Sequence, residues 1–174
     1  MGHTHYSYIG PEEHITRISS SSDAERVRVY SGGDVKKWIS STRQQLPSSN
    51  SITATYVVDT AGDLWISDRR TEHIFCSGGQ SVSAAGEITF DLSGGQVEVV
   101  GLSNQSTGFC PEPISWGAVQ KALKKASISH PDDFTEIYHF RRCSECAQIN
   151  IVKNDIFECA VCGSPLSKEW NINT

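Results

Sequence analysis

Thr53-Ala-Thr-Tyr-Val-Val-Asp59, Asp63-Leu-Trp-Ile-Ser67, Glu87-Ile-Thr-Phe-Asp91 and Gln96-Val-Glu-Val-Val-Gly-Leu102 decide the fold. Each is a short run rich in β-branched and aromatic residues. Turn signals separate them at Ala61-Gly62-Asp63, Ser77-Gly78-Gly79 and Ser93-Gly94-Gly95. His73-Ile-Phe-Cys76 reads as one more strand, and Arg26-Val-Arg-Val-Tyr30 as a short alternating strand ahead of them. Strands repeating at about ten residues predict an antiparallel meander or small barrel. Two helices flank it. Val35, Trp38, Ile39, Thr42 and Leu46 share one helical face, with Asp34 as N-cap and Pro47 as stop. Trp116, Val119 and Leu123 share another, with Ser115 as cap and the chain helical to about Ala126. The class is α+β, mainly β.

Working outward, the six cysteines sort by spacing. Cys143-Ser-Glu-Cys146 and Cys159-Ala-Val-Cys162 are two Cys-x-x-Cys pairs with 12 residues between them, while Cys76 and Cys110 stand apart. Each pair can turn two sulfurs toward one ion, and two pairs complete a tetrahedral four-thiolate site. Gly163 after the second pair suits a positive φ in the turn around the ion. The expected cofactor is Zn2+, held by Cys143, Cys146, Cys159 and Cys162; iron or a redox dithiol are the competing readings. Residues 149–152 and 156–158 would form a hairpin between the knuckles, giving a C-terminal zinc ribbon. Four thiolates close the metal's shell and leave no place for a reactive water, so the expected role is structural.

The chain has 174 residues, of which 37% are apolar by a count that includes Tyr and Cys. That is enough for a core and too much for a disordered chain. It divides into an N-terminal segment of uncertain order (1–22), an α+β domain (23–132) and the ribbon (133–174). No run of about 18 apolar residues and no apolar leader is present, so the expectation is a cytoplasmic protein with no membrane association. Net charge is −5, carried by residues 1–114 with 8 basic and 13 acidic side chains; residues 115–174 have 7 of each. A nucleic-acid-binding protein usually shows a basic face, and none is evident globally. Lys121, Lys124, Lys125, Arg141 and Arg142 are the residues that a nucleic-acid partner would use. In the first segment His3, His5 and His14 could form a metal cluster, against the plainer reading of a mobile terminus.

The densest polar constellation is Asp68-Arg-Arg-Thr-Glu-His73, then Glu87 after Ala84-Ala85-Gly86, then Asn104-Gln105-Ser106. Candidate catalytic residues are His73 and Glu87, with Cys110 as a thiol partner for His73 from another strand. Arg69 and Arg70 could hold an anionic group through their guanidinium forks, with Asn104, Gln105 and Ser106 as further substrate contacts. The plainer reading of the arginines is a turn salt-bridged to Asp68 and Glu72. Cys76 reads as a buried small hydrophobe.

Glu72-His-Ile-Phe-Cys-Ser-Gly-Gly-Gln-Ser-Val-Ser-Ala-Ala-Gly-Glu-Ile88 and Leu102-Ser-Asn-Gln-Ser-Thr-Gly-Phe-Cys-Pro111 together resemble a known module. It occurs in plant IQ-motif calmodulin-binding proteins and in bacterial effector-like and hypothetical proteins. There a His-Ser pair, a Gly-rich turn, an Ala-Ala-Gly segment and a later Ser-Gly-His-Tyr segment recur. Here Ile74 follows His73, Thr107-Gly108-Phe109-Cys110 stands at Ser-Gly-His-Tyr, and no IQ helix is visible, so calmodulin binding does not follow from the resemblance.

Three functions are thereby expected, in this order. The first is a binding or adaptor module for a protein partner, with a structural zinc. The second is an enzyme or effector-type domain with a pocket of His73, Glu87 and Asn104. The third is a nucleic-acid-binding ribbon.

Overall fold

The computed structural model describes residues 5–18, 26–41 and 50–172. In chain order the elements are α1 (Glu12–Ile18), β1 (Val27–Val29), α2 (Gly32–Ser41), β2 (Ser51–Asp59), β3 (Leu64–Asp68), the single-turn α3 (His73–Cys76) and β4 (Val82–Asp91). They continue with β5 (Glu98–Leu102), a 3-10 turn (Pro113–Ser115), α4 (Trp116–Lys125), β6 (His139–Arg142) and β7 (Ile149–Val152). The first five strands form one antiparallel sheet, ordered β1-β3-β2-β4-β5, and β6 pairs with β7 in a second. The main sheet is an open α+β sheet with no closed barrel.

The period-2 side-chain alternation divides β2 between two layers. Ala54, Tyr56 and Val58 face a core built with Val35, Trp38 and Ile39 of α2 and Val119, Ala122 and Leu123 of α4. Val57 faces the other way, into a second core with Ala85, Ile74, Cys76, Phe109 and Tyr6. On the same face as Val57, Thr55 stands opposite Ser67 of β3 and Glu87 of β4. That register puts Glu87 on the same face as α3.

Several local expectations need correction. His73–Cys76 is a helical turn, not a strand: Phe75, Cys76 and Ser77 donate back to the carbonyls of Glu72 and His73, and Gly78 and Gly79 end the turn at positive φ. A four-residue apolar run has no period long enough to separate the two forms. Asp34 is not the N-cap of α2. Its carboxylate reaches back to the backbone N–H of Tyr30 and Ser31, while Ser31 Oγ accepts from Gly33, a capping arrangement shifted by three residues. Ser115 makes no cap bond to α4; its hydroxyl donates to Glu112 O. Thr42, Leu46 and Pro47 lie outside the described residues.

Of residues 5–18, Tyr6 alone is buried, and α1 has no buried residue. Tyr6 exchanges two backbone hydrogen bonds with Val82 and is fully buried. His14 pairs with the Tyr8 hydroxyl at 3.0 Å and His5 is exposed; His3 lies outside the described residues. Among the described residues no helix is long and apolar enough to cross a membrane.

The ribbon also differs in pairing. β7 pairs with β6, the strand that enters the first knuckle, and residues 156–158 contribute only isolated bridges, Lys153 to Ile156 and Glu158 to Pro165. A third apolar cluster of Cys110, Phe140 and Ile172, with Ile9, Tyr138 and Trp170 against it, joins the ribbon to the segment after β5.

Candidate metal centre and polar cleft

The four ribbon sulfurs lie within 4.8 Å of one another. Cys143 Sγ is 3.6 Å from Cys162 Sγ, and Cys146 Sγ is 3.6 Å from Cys159 Sγ. A tetrahedral ion with metal–sulfur bonds of about 2.3 Å requires separations of roughly 3.8 Å, so the sulfurs stand where one ion could take all four. Local chain geometry produces this twice over. Ala147 N–H bonds to Cys143 O as Gly163 N–H bonds to Cys159 O, and Cys143 N–H bonds to Gln148 O as Cys159 N–H bonds to Ser164 O. Ala147 (φ 62°) and Gly163 (φ 75°) occupy the same left-handed position after each pair. The first knuckle carries an alanine where glycine would be easier, so only half of this repeat is visible as a glycine in the sequence.

Around the sulfurs, Asn150 is buried and its amide does two jobs. Nδ2 donates to Cys159 Sγ at 3.5 Å and Oδ1 accepts from Ala160 N–H at 2.9 Å. The backbone N–H of Cys162 pulls the Cys159 thiol down, with Val161 N–H and Asn150 adding to it, while burial and the neighbouring sulfurs push the Cys146 thiol up. The support for thiolate at Cys159 is what a metal ligand needs. Sequence reading missed Asn150, because nothing local distinguishes it from a surface asparagine.

The polar constellation gathers elsewhere, on the sheet face beside α3. A cleft of about 200 Å³ is floored by Thr55 and Glu87 and walled by residues 69–73 and by Gln105 and Thr107. Thr55 Oγ1 lies within bonding distance of the carbonyls of Arg69 and Thr71, which fixes the turn after β3 over the sheet. Arg69 Nε donates to Glu87 Oε1 at 3.1 Å, and Arg70 Nε to Asp68 Oδ1 at 3.2 Å. His73 Nε2 donates to Gly86 O at 2.9 Å, leaving Nδ1 as the acceptor of the neutral ring. Burial pulls the His73 pKa below its usual value, against the Gly86 carbonyl and the charges of Glu72 and Glu87. Gly86 itself permits the arrangement: a Cβ there would meet Ser103 O at 1.9 Å.

The structure therefore brings together His73, Glu87, Arg69, Arg70 and Gln105, and places the remaining candidates outside the cleft lining. Asn104 is fully buried. Its Nδ2 donates to Pro111 O and Tyr138 O, and its Oδ1 accepts from Tyr138 N–H, so it clamps the segment after β5 to the chain entering β6. Ser106 is buried and its Oγ accepts from Phe109 N–H. Cys110 is buried at positive φ (47°), and its carbonyl accepts from Trp170 Nε1 at 2.8 Å. Burial pushes both the Cys110 and Cys76 thiols up to about 12, the opposite of the shift a thiol nucleophile needs.

Of the five basic candidates, Lys125, Arg141 and Arg142 are engaged within the fold, and Lys121 and Lys124 are exposed on α4. Arg141 is buried and donates to the carbonyls of Phe140, Ser167 and Lys168. Arg142 donates to Ala147 O and Ile172 O, and Lys125 pairs with Asp63 at 2.6 Å. No protein-family model, no curated protein and no solved structure matches this chain, so neither the module resemblance nor the ribbon finds a counterpart there.

Proposed function

We propose that the chain is a zinc-stabilised binding module: the ribbon holds a structural Zn2+ at Cys143, Cys146, Cys159 and Cys162, and its outer end meets a protein partner. The convergence of four sulfurs carries this reading. Four thiolates favour zinc over harder cations and leave no open position for catalysis. The ribbon's outer end supports the partner half. Ile156 and Val161 are 60% and 68% exposed, and Val161 sits inside the second knuckle, where the metal would hold it rigid. Metal analysis of the purified protein, and the absorption of its cobalt-substituted form, test the site. One zinc per chain and a thiolate-type cobalt spectrum, both lost in Cys143→Ser, are expected; protein free of metal after purification without chelator would sink the reading. For the partner, Val161→Glu should abolish a co-purifying interaction while leaving zinc content unchanged.

A second reading keeps the expected enzyme or effector-type pocket, because the cleft gathers His73, Glu87, Arg69 and Gln105. A neutral histidine beside a carboxylate could move a proton for a substrate held by arginine. Asn104 contributes to it by holding the wall. The nucleic-acid reading has less support, since Arg141 and Arg142 are engaged by backbone carbonyls within the fold.

A further inference from the structure

The cleft beside α3 is lined by four charged side chains that balance: Arg69 and Arg70 against Glu72 and Glu87. Arg69 bonds Glu87 through Nε alone, and its two terminal nitrogens have no hydrogen-bond partner among the described residues. The end of the guanidinium fork is the part that binds a carboxylate with two parallel bonds. Glu87, 30% exposed, takes one bond on Oε1. A partly solvated ion pair of this kind contributes little, so exchanging it for ligand contacts costs little.

Charge balance selects the ligand. A bare oxyanion drawn to Arg69 would also meet Glu87 and Glu72, and a bare cation drawn to Glu87 would meet Arg69 and Arg70. A molecule with one charge of each sign meets an opposite charge at both ends. The volume of about 200 Å³ equals about seven waters at about 30 Å³ each, below the range of drug-sized pockets, which start at about 300 Å³. Gln105 and Thr107 add uncharged hydrogen-bonding groups at the rim. We propose that this cleft binds a small zwitterion of amino-acid type, its carboxylate on the free end of Arg69 and its ammonium on Glu87. The proposal rests on the second reading only in requiring a ligand there, not a reaction.

The test is a titration of the full chain, followed by calorimetry and by backbone amide shifts at Glu87 and Gln105. The probes are glycine, β-alanine and 4-aminobutyrate, with acetate and ethylammonium as single-charge controls. At least one zwitterion should bind saturably and at least about tenfold more tightly than either control. Glu87→Gln should weaken the zwitterion about tenfold and leave acetate no weaker, whereas Arg69→Gln should weaken both. Acetate binding as tightly as the zwitterions in the unsubstituted protein, with Glu87→Gln leaving the zwitterions no weaker, would overturn the ligand class while keeping a ligand site. Silence from all five probes at both amides would overturn the proposal, while the second reading would stand or fall separately on turnover of an anionic substrate.

Discussion

The ribbon and the sheet are held by different means. The sheet's first core buries Trp38, Tyr56, Phe90 and Leu123 together, apolar bulk enough to stand on burial alone. The ribbon's own core is Cys143, Cys159 and Leu166, with Val152 and Phe157 partly buried against it. Two of those three buried groups are the proposed metal ligands. A module with so little apolar volume would depend on the proposed ion, whereas the sheet depends on close packing. Their sites differ in the same way: the sulfurs come from one run of residues 143–162, and the cleft is assembled from four separated segments.

The largest effect that could break this contrast is metal removal. Structural zinc contributes on the order of 10 kcal/mol to small modules of this kind. A strong chelator, or Cys143→Ser, should abolish hydrogen-exchange protection in β6 and β7 and leave β2 and β4 protected; loss of protection in all four strands would make the two regions one cooperative unit. Next, Phe90→Ala should cost the sheet about 3–5 kcal/mol in denaturant unfolding with zinc affinity unchanged. A matching fall in zinc affinity would contradict separate means of support. Asn104→Ala removes the clamp between the regions and strands buried groups of Tyr138 and Pro111, for about 1–3 kcal/mol. Its signature should be faster exchange at both Gln105 and Phe140, and a change confined to one side would mean that the clamp serves that side only.

Arg69→Ala should change stability by less than about 1 kcal/mol, because the pair with Glu87 is partly solvated. A larger loss would make Arg69 structural. The finest distinction is the response to acid. His73 is lowered by burial, so the unfolded chain takes up its proton first as pH falls. The fold therefore loses stability from about pH 6.5 down to the native pKa, and keeps it above that window. His73→Gln should flatten this slope in the sheet while acid release of the metal stays as before; an unchanged slope would assign the effect elsewhere.

Legibility in the sequence followed the range of the interactions. The metal ligands could be read because a knuckle is a local structure, and its partner knuckle repeats the same spacing. The helices α2 and α4 could be read from Trp38 and Ile39, or Val119 and Leu123, at helical period. The cleft could not be drawn in advance. It exists because β4 pairs with β2 and sets Glu87 opposite Thr55, and because α3 lies over that pair. His73–Cys76 is too short for its period to declare a helix. Asn104 reads the same in sequence whether it meets a ligand or ties two backbone segments together, and only its buried partners decide.

Tyr6 and Trp170 meet edge to face, with ring centroids 5.5 Å apart. On the ribosome Tyr6 is made long before Trp170 and waits for that cover until the ribbon has emerged. The segment around Tyr6 is therefore completed only after the ribbon, although it is translated before it. Any condition that kept the proposed metal from the ribbon during synthesis would leave that seam open in newly made chains. Nascent protein, more than mature protein, would then be the population most exposed to metal shortage.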